Sequence, residues 1–94
     1  MNFEKPQFNK TEIEGTFFSF DENGFVRFGD VARSLLQQQA QYASRYTDGT
    51  LEDYPNLGKE LKFEGNSSDY HSLKIHKDDI QEFINRVRKH REQL

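Results

Sequence analysis

The chain has 94 residues, a net charge of −3 and no cysteine, and 33% of its residues are hydrophobic. This length fits one domain, and the absence of cysteine excludes disulfides, a cysteine nucleophile, zinc ribbons and iron–sulfur clusters. Phe, Leu, Ile and Val still make up 23 of the 94 residues, which exceeds the ~20% below which charged chains usually stay disordered. We therefore expect a folded domain with a thin core, in which nine phenylalanines supply much of the bulk.

Targeting and membrane segments are not expected. The first ten residues carry charges and contain no apolar run, unlike a signal peptide. No stretch approaches the ~18 consecutive apolar residues of a membrane span. Because a secreted domain of this size would often need disulfides, we expect a cytoplasmic protein.

Residues 1–11 are predicted to form an irregular lead-in, whose isolated rings Phe3 and Phe8 pack onto the domain. A β-prone run then reaches residues 21–24, and the sequence Asp-Glu-Asn-Gly there suits a type I turn with a glycine bulge. Strand character resumes directly after this turn. Residues 12–28 are therefore predicted to form a hairpin around it.

A helix of about four turns is predicted to follow the hairpin. Asp30 is expected to cap it, because a carboxylate accepts hydrogen bonds from the free N–H groups at a helix start. Apolar residues then recur at spacings of three and four from Val31 to Tyr46. Residues 47–58 are predicted to form a connecting loop, anchored to the core by Leu51, Tyr54 and Leu57.

The second half of the chain is predicted to repeat this order of elements. Residues 60–64 and 70–76 alternate as strands around a turn at 65–69, with Leu73 and Ile75 facing inward. The repeat reflects either a duplication or, as we favour, the commonness of a hairpin followed by a helix.

A second helix completes the chain. Asp78 is expected to cap it, with Gln81 as the capping-box partner three residues later. Helical spacing predicts one buried stripe on this helix. The stripe comprises Ile80, Phe83, Ile84, Val87 and Leu94.

Together these elements predict an α+β fold in ββα–ββα order. It is a two-layer sandwich, in which an antiparallel sheet of about four strands carries two helices on one face. The chain is interpreted as a single domain, residues 1–94. It divides into the lead-in 1–11, a first hairpin–helix unit 12–46, the connecting loop 47–58 and a second hairpin–helix unit 59–94.

No pattern in the sequence supports catalysis. His71 and His76 are an odd number of residues apart on a predicted strand, so they point to opposite faces and cannot share a metal ion. Residues 67–71 hold the residue types of a catalytic triad, but contiguously and in a turn, whereas triads assemble from separate elements. We therefore predict a non-enzymatic protein with no metal and no cofactor.

The leading functional hypothesis is a regulator or inhibitor that binds another protein of unknown identity. Phe17 and Phe18 are adjacent in a predicted strand, so one of the two rings points away from the helices. An exposed ring beside acidic side chains suits a basic, nucleic-acid-handling partner, because complementary fields steer association. The candidate interface consists of Glu12, Glu14, Phe18, Asp21, Glu22 and Phe25.

The segment Phe-Val-Arg-Phe-Gly-Asp-Val, within residues 20–36, resembles small proteins of phages and mobile elements. The resemblance implies an inhibitor or accessory protein that acts by binding. A thin core also favours burial of a sheet edge or of the outer Phe face against a second copy, so self-association is a further expectation.

The alternative hypothesis is a nucleic-acid-binding regulator. Cations near the end of a helix already interact favourably with its dipole, which explains them without a ligand. Phosphate contact is the other explanation, and it would make binding salt-dependent. The candidate contacts on the last helix are Arg86, Arg88, Lys89 and Arg91.

Overall fold

Two small antiparallel sheets and three helices form the α+β fold of residues 10–94, the part of the chain that the computed structural model describes. The strands are β1 Lys10–Ile13, β2 Thr16–Ser19, β3 Phe25–Arg27, β4 Phe63–Glu64 and β5 Lys74–His76, and the helices are α1 Phe28–Val31, α2 Ala40–Ala43 and α3 Ile80–Glu92. Strands β1 and β2 form one sheet, and the second has the order β3–β5–β4. The predicted lead-in, apart from its last two residues, lies outside the described part, as do Phe3 and Phe8.

The predicted first hairpin is wrong in its pairing. β2 pairs with β1 through a two-residue turn, Glu14–Gly15, whose φ angles of 53° and 84° are both left-handed. This geometry is that of a type I′ turn, which matches the twist of the flanking strands. The sequence signal was weak because Glu-Gly is not the usual Asn-Gly or Asp-Gly pair.

The predicted turn at residues 21–24 is nevertheless present. The Gly24 N–H donates to the Asp21 carbonyl at 3.0 Å, and the Asp21 N–H donates to the Phe25 carbonyl at 2.9 Å. Beyond this turn the two strands separate. β3 pairs with β5, so that Val26 lies opposite Ile75, and the predicted single four-stranded sheet is replaced by two sheets.

The predicted long helix from Val31 to Tyr46 is interrupted. α1 begins at Phe28 and continues as a π-helical segment, Ala32–Leu36, which ends at Gln37 in the left-handed conformation. The chain becomes helical again at α2, which continues as a 3-10 turn to Tyr46. Asp30 therefore lies in the first turn of α1 and is not its cap.

The second half follows its prediction more closely. β4 and β5 are shorter than predicted, but Leu73 and Ile75 are buried as expected. The stripe on α3 is confirmed for its first four members, whereas Leu94 is exposed. Leu94 follows the last residue of α3, so the helical periodicity no longer governs its direction.

The predicted capping of α3 is also wrong. A 3-10 turn, Lys77–Asp79, precedes the helix, and the Asp78 N–H donates to Nδ1 of His76 at 3.1 Å. Gln81 does not cap the helix either, because its side chain donates to Glu14 and Asn85.

Aromatic rings join the second sheet to α3 in the core. Phe28, Phe63 and Phe83 form a cluster with centroid separations of 5.6 to 6.3 Å. The connecting loop is tied to the end of α2, because the Leu57 N–H donates to the Tyr46 carbonyl at 2.7 Å. Tyr54 and Leu57 pack against the core as predicted, but Leu51 is exposed.

Candidate protein-binding surface

The tip of the β1–β2 hairpin is fastened to α3. Both carboxylate oxygens of Glu14 accept hydrogen bonds from the Arg88 guanidinium, each at 2.7 Å. Gln81 adds a third hydrogen bond to Glu14 at 2.7 Å. Two parallel N–H···O bonds fix orientation as well as distance. The hairpin is thereby held in one position, although it belongs to a separate sheet.

The charge state of Glu14 reflects these contacts. Hydrogen bonds from Arg88, then from Gln81, lower the pKa of Glu14 from 4.5 to about 2. The same pair raises the pKa of Arg88. Glu14 is therefore ionised at neutral pH, and its carboxylate is already bound by Arg88 and Gln81. Its main role is to hold the hairpin tip against α3, not to present a free acidic group to a partner protein.

The hairpin has an inner and an outer face. Its register places Thr11 opposite Phe18, and Glu12 opposite Phe17. Phe18 is 4% exposed and packs in the core, whereas Phe17 is 65% exposed. One ring does point outward as predicted, but it is Phe17, so the assignment of Phe18 to the interface is corrected.

The turn at the far end of β2 carries the other acidic candidates. Oδ1 of Asp21 accepts from the backbone N–H groups of Asn23 and Phe25, and Oδ2 accepts from Lys74 at 3.3 Å. These bonds, led by that from Phe25, lower the pKa of Asp21. Asp21 thus shapes the turn, and the neighbouring Glu22 is exposed.

Phe25 has a mixed environment. It is half-buried, and its ring meets the His76 ring edge-to-face at a centroid distance of 5.1 Å. Part of the Phe25 ring is therefore buried by contacts within the fold, and only the rest is accessible to a partner. Of the six predicted interface residues, Glu12 and Glu22 are the exposed acids whose side chains form no hydrogen bond or ion pair inside residues 10–94.

The arginines proposed for nucleic-acid contact are used inside the fold. Arg86 donates to Glu82 at 2.8 Å and to the carbonyls of Leu57 and Lys59, both at 3.0 Å. It therefore holds the connecting loop against α3. Lys89, by contrast, is exposed.

Arg88 and Arg91 cap a helix that is not their own. Arg88 donates to the Leu35 carbonyl at 2.9 Å, and Arg91 donates to the Leu36 carbonyl at 3.2 Å. The last carbonyls of a helix have no partner within it. Here α3 supplies those partners, and Gln38 is held by Arg91 as well. This role is not visible in the sequence, because the partners lie more than fifty residues apart.

Two other arginines, missed by the sequence analysis, line an open cleft of about 280 Å³. Asp30 lies between them, with Arg33 Nη2 at 2.8 Å and Arg27 Nε at 3.6 Å. The spacing of three residues between Asp30 and Arg33 was the available signal, since such neighbours meet on a helix, whereas Arg27 is the last residue of β3. The remaining lining residues are Gly29, Gln39, Ala40, Gln41, Tyr70 and His71.

Comparison of the chain with known protein families, curated proteins and solved structures found no match. Within residues 10–94, no three His, Asp or Glu side chains are grouped so as to hold a metal ion. No helix in that part of the chain is long and apolar enough to cross a membrane. The surface is therefore interpreted from its own geometry.

Proposed function

We propose that this chain is a non-enzymatic binding protein that acts through contact between the outer face of its β1–β2 hairpin and another protein. The observation that carries the proposal is Phe17, a large ring that is 65% exposed on a hairpin fastened at its tip. Aromatic side chains are enriched among the residues that dominate binding energy at interfaces. The backbone that carries the ring is held by the Glu14–Arg88 contact, so the hairpin loses little freedom on binding, which favours affinity.

The edge of β2 adds a second element of recognition. Within residues 10–94, β2 pairs with β1 on one side only, and the chain diverges from β2 after the turn at residues 21–24. All four residues of β2 line a cleft of about 350 Å³, whose other side is formed by Val26, Asp30, Arg33 and Ser34. An unpaired strand edge can hydrogen-bond an extended segment of a partner.

The charges near Phe17 favour a partner with a basic surface. Glu12 lies opposite Phe17 on the hairpin, and Glu22 lies at the far end of β2. Both carboxylates are exposed, so they can steer a cationic surface toward the ring. Binding of a basic partner surface by these residues is the kind of action expected of an inhibitor or accessory protein. The basic helix is not proposed as a nucleic-acid site, because Arg86, Arg88 and Arg91 already hold internal acceptors.

The test is affinity capture with matched variants. The tagged chain and its Phe17→Ser variant are incubated with a lysate, and captured proteins are compared by quantitative mass spectrometry. The control is Tyr42→Ser, which removes another exposed ring outside the hairpin. We expect one protein with a basic surface to be captured by the wild-type chain and by the control. Phe17→Ser should weaken its binding about 30-fold, as expected for a residue worth ~2 kcal/mol.

Three results would refute the proposal. Equal capture by all three proteins would show that Phe17 is not in the interface. Equal loss of capture in Phe17→Ser and Tyr42→Ser would indicate a general effect of surface hydrophobicity. A sedimentation profile that shows dimers lost only in Phe17→Ser would identify a second copy as the occupant of this face.

A further inference from the structure

The cleft beside α1 has an unusual supply of hydrogen-bond donors. Each guanidinium carries five N–H donors. Asp30 accepts one hydrogen bond from Arg33, while Arg27 forms only a longer ion pair with it at 3.6 Å. Inside residues 10–94 these two guanidinium groups have no other acceptor, in contrast to Arg88, which donates to three oxygens.

The charge of the cleft is positive. Two guanidinium groups and one carboxylate line it, and none of the other lining residues is Lys, Arg, Asp or Glu. The side chains of Arg27 and Arg33 are 69% and 61% exposed, so their donors are accessible from solvent. Asp30 holds both groups on one side of the cleft. A ligand oxyanion can therefore meet two neighbouring cations, each within 3.6 Å of Asp30.

The polar side chains around the arginines extend this donor surface. The Tyr70 hydroxyl donates to Oε1 of Gln41 at 3.3 Å, which leaves the Gln41 amide N–H groups as donors. The cleft itself is small, at about 280 Å³. Gln41 and Tyr70 also line a neighbouring cleft of about 400 Å³, together with hydroxyl and charged side chains. These are Ser44, Arg45, Asp48, Thr50, Ser67 and Ser68.

We propose that Arg27 and Arg33 bind the phosphate group of a small phosphate ester, and that the hydroxyl-lined cleft accommodates the rest of the molecule. A phosphate oxyanion offers several acceptors and matches guanidinium donors in charge and geometry. The first cleft is just below the usual size of ligand sites, ~300 to 1,000 Å³, and the two clefts together reach that size. Asp30 and Arg33 also line the cleft beside β2, so the two sites are neighbours, but phosphate binding does not depend on the function proposed for the Phe17 face.

Gly29 provides a probe of geometry that leaves the charge unchanged. A Cβ added at Gly29 would lie 3.1 Å from Nη1 of Arg33 and 3.4 Å from the Ala40 Cβ. The guanidinium lies at the end of a flexible side chain, so it would shift while the fold remains. Gly29→Ala therefore moves one donor group without removing a cation.

The experiment is a titration of the full chain with small ligands, in which binding is monitored by the NMR chemical shifts of the backbone amides. The probes are inorganic phosphate, ribose 5-phosphate and ribose. We expect both phosphates to shift the amides near Arg27 and Gly29, with ribose 5-phosphate binding at least threefold more tightly, and ribose to shift none. Arg27→Gln and Arg33→Gln should each weaken phosphate binding about tenfold or more. Gly29→Ala should weaken it several-fold.

The control variant is Lys89→Gln, which removes one exposed positive charge from the opposite half of the chain. It should leave the phosphate affinity within twofold of the wild type. If inorganic phosphate binds as tightly as the ester, the site takes free phosphate and the role given to the second cleft is wrong. No shifts with any probe, or equal losses in Lys89→Gln and the two arginine variants, would overturn the site.

Discussion

The contact between Glu14 and Arg88 offers a quantitative test of how the hairpin is held. Replacing Arg88 by Met keeps much of the apolar stem but removes the guanidinium. Three hydrogen bonds disappear, two to Glu14 at 2.7 Å and one to the Leu35 carbonyl at 2.9 Å. The structure thus predicts losses at two places, the hairpin tip and the end of the π-helical segment.

The magnitude follows from burial and geometry. The side chains of Arg88 and Glu14 are 41% and 30% exposed, so solvent screens their attraction in part. Exposed ion pairs contribute ~0.2–1 kcal/mol and hydrogen bonds to charged groups ~1.5–3 kcal/mol, which places this bidentate pair at about 1–2 kcal/mol. The Leu35 carbonyl adds about 1 kcal/mol. We expect Arg88→Met to lower the free energy of unfolding by about 2–3 kcal/mol.

A double-mutant cycle separates the two losses. Glu14→Gln, Arg88→Met and the double variant are unfolded in urea, and the free energies of unfolding are compared at pH 7. The double variant should cost about 1–2 kcal/mol less than the sum of the single variants, because the pair can be lost only once. Arg27→Met is the control and should change stability by less than about 0.5 kcal/mol, since it removes an exposed arginine. A coupling energy below about 0.3 kcal/mol would refute the fastening role of the pair.

Three further predictions concern acid stability, backbone conformation and the two adjacent rings. The pKa of Glu14 is lowered to about 2, so its stabilising contribution is complete above pH 4.5 and is lost as the pH falls toward 2. Unfolding curves across this range should show a smaller loss in Glu14→Gln than in the wild type, because Asp21, whose pKa is also lowered, still contributes in the variant; equal losses would contradict the role of Glu14. Gly65→Ala should lower the stability measured by thermal unfolding more than Gly15→Ala does. Both glycines have positive φ, but a Cβ at Gly65 would lie 2.9 Å from a backbone oxygen, whereas a Cβ at Gly15 meets nothing within 4 Å. Equal losses of stability would contradict the steric argument. Phe18→Ala should lower the free energy of unfolding by ~3–5 kcal/mol and Phe17→Ala by less than about 1 kcal/mol, since only the first ring is buried; urea unfolding of both variants measures the difference.

Local patterns in the sequence were sufficient for several elements. The stripe of Ile80, Phe83, Ile84 and Val87 on α3 follows from helical spacing, and the burial of Leu73 and Ile75 follows from strand alternation. The turn at residues 21–24 follows from Asp and Gly at its two ends. Each of these features depends on side chains or backbone groups that are near one another in the chain.

Features of the candidate sites were predicted less well. The sequence showed that one of two adjacent rings must point outward, but the strand register decided that it is Phe17. It also showed a basic C-terminal helix, whose arginines were proposed as phosphate contacts, but not that Arg88 and Arg91 donate to the carbonyls of Leu35 and Leu36. The same arginine side chain can bind a phosphate or a backbone carbonyl, so only its neighbours in the tertiary structure show which of these acceptors it binds.

The sequence by itself determined that this chain is an α+β domain with a Phe-rich core, and which faces of α3 and β5 are buried. Periodicity and turn chemistry carry that information because they act over a few residues. Only the tertiary structure decided that β2 pairs with β1, that β3 pairs with β5, and that the helix predicted through Tyr46 is interrupted at Gln37. The β3–β5 pairing and the end of the π-helical segment depend on backbone groups whose partners lie up to 55 residues away in the chain, and such contacts leave no periodic pattern in the sequence. The β1–β2 pairing is local, but its Glu-Gly turn is a weak sequence signal.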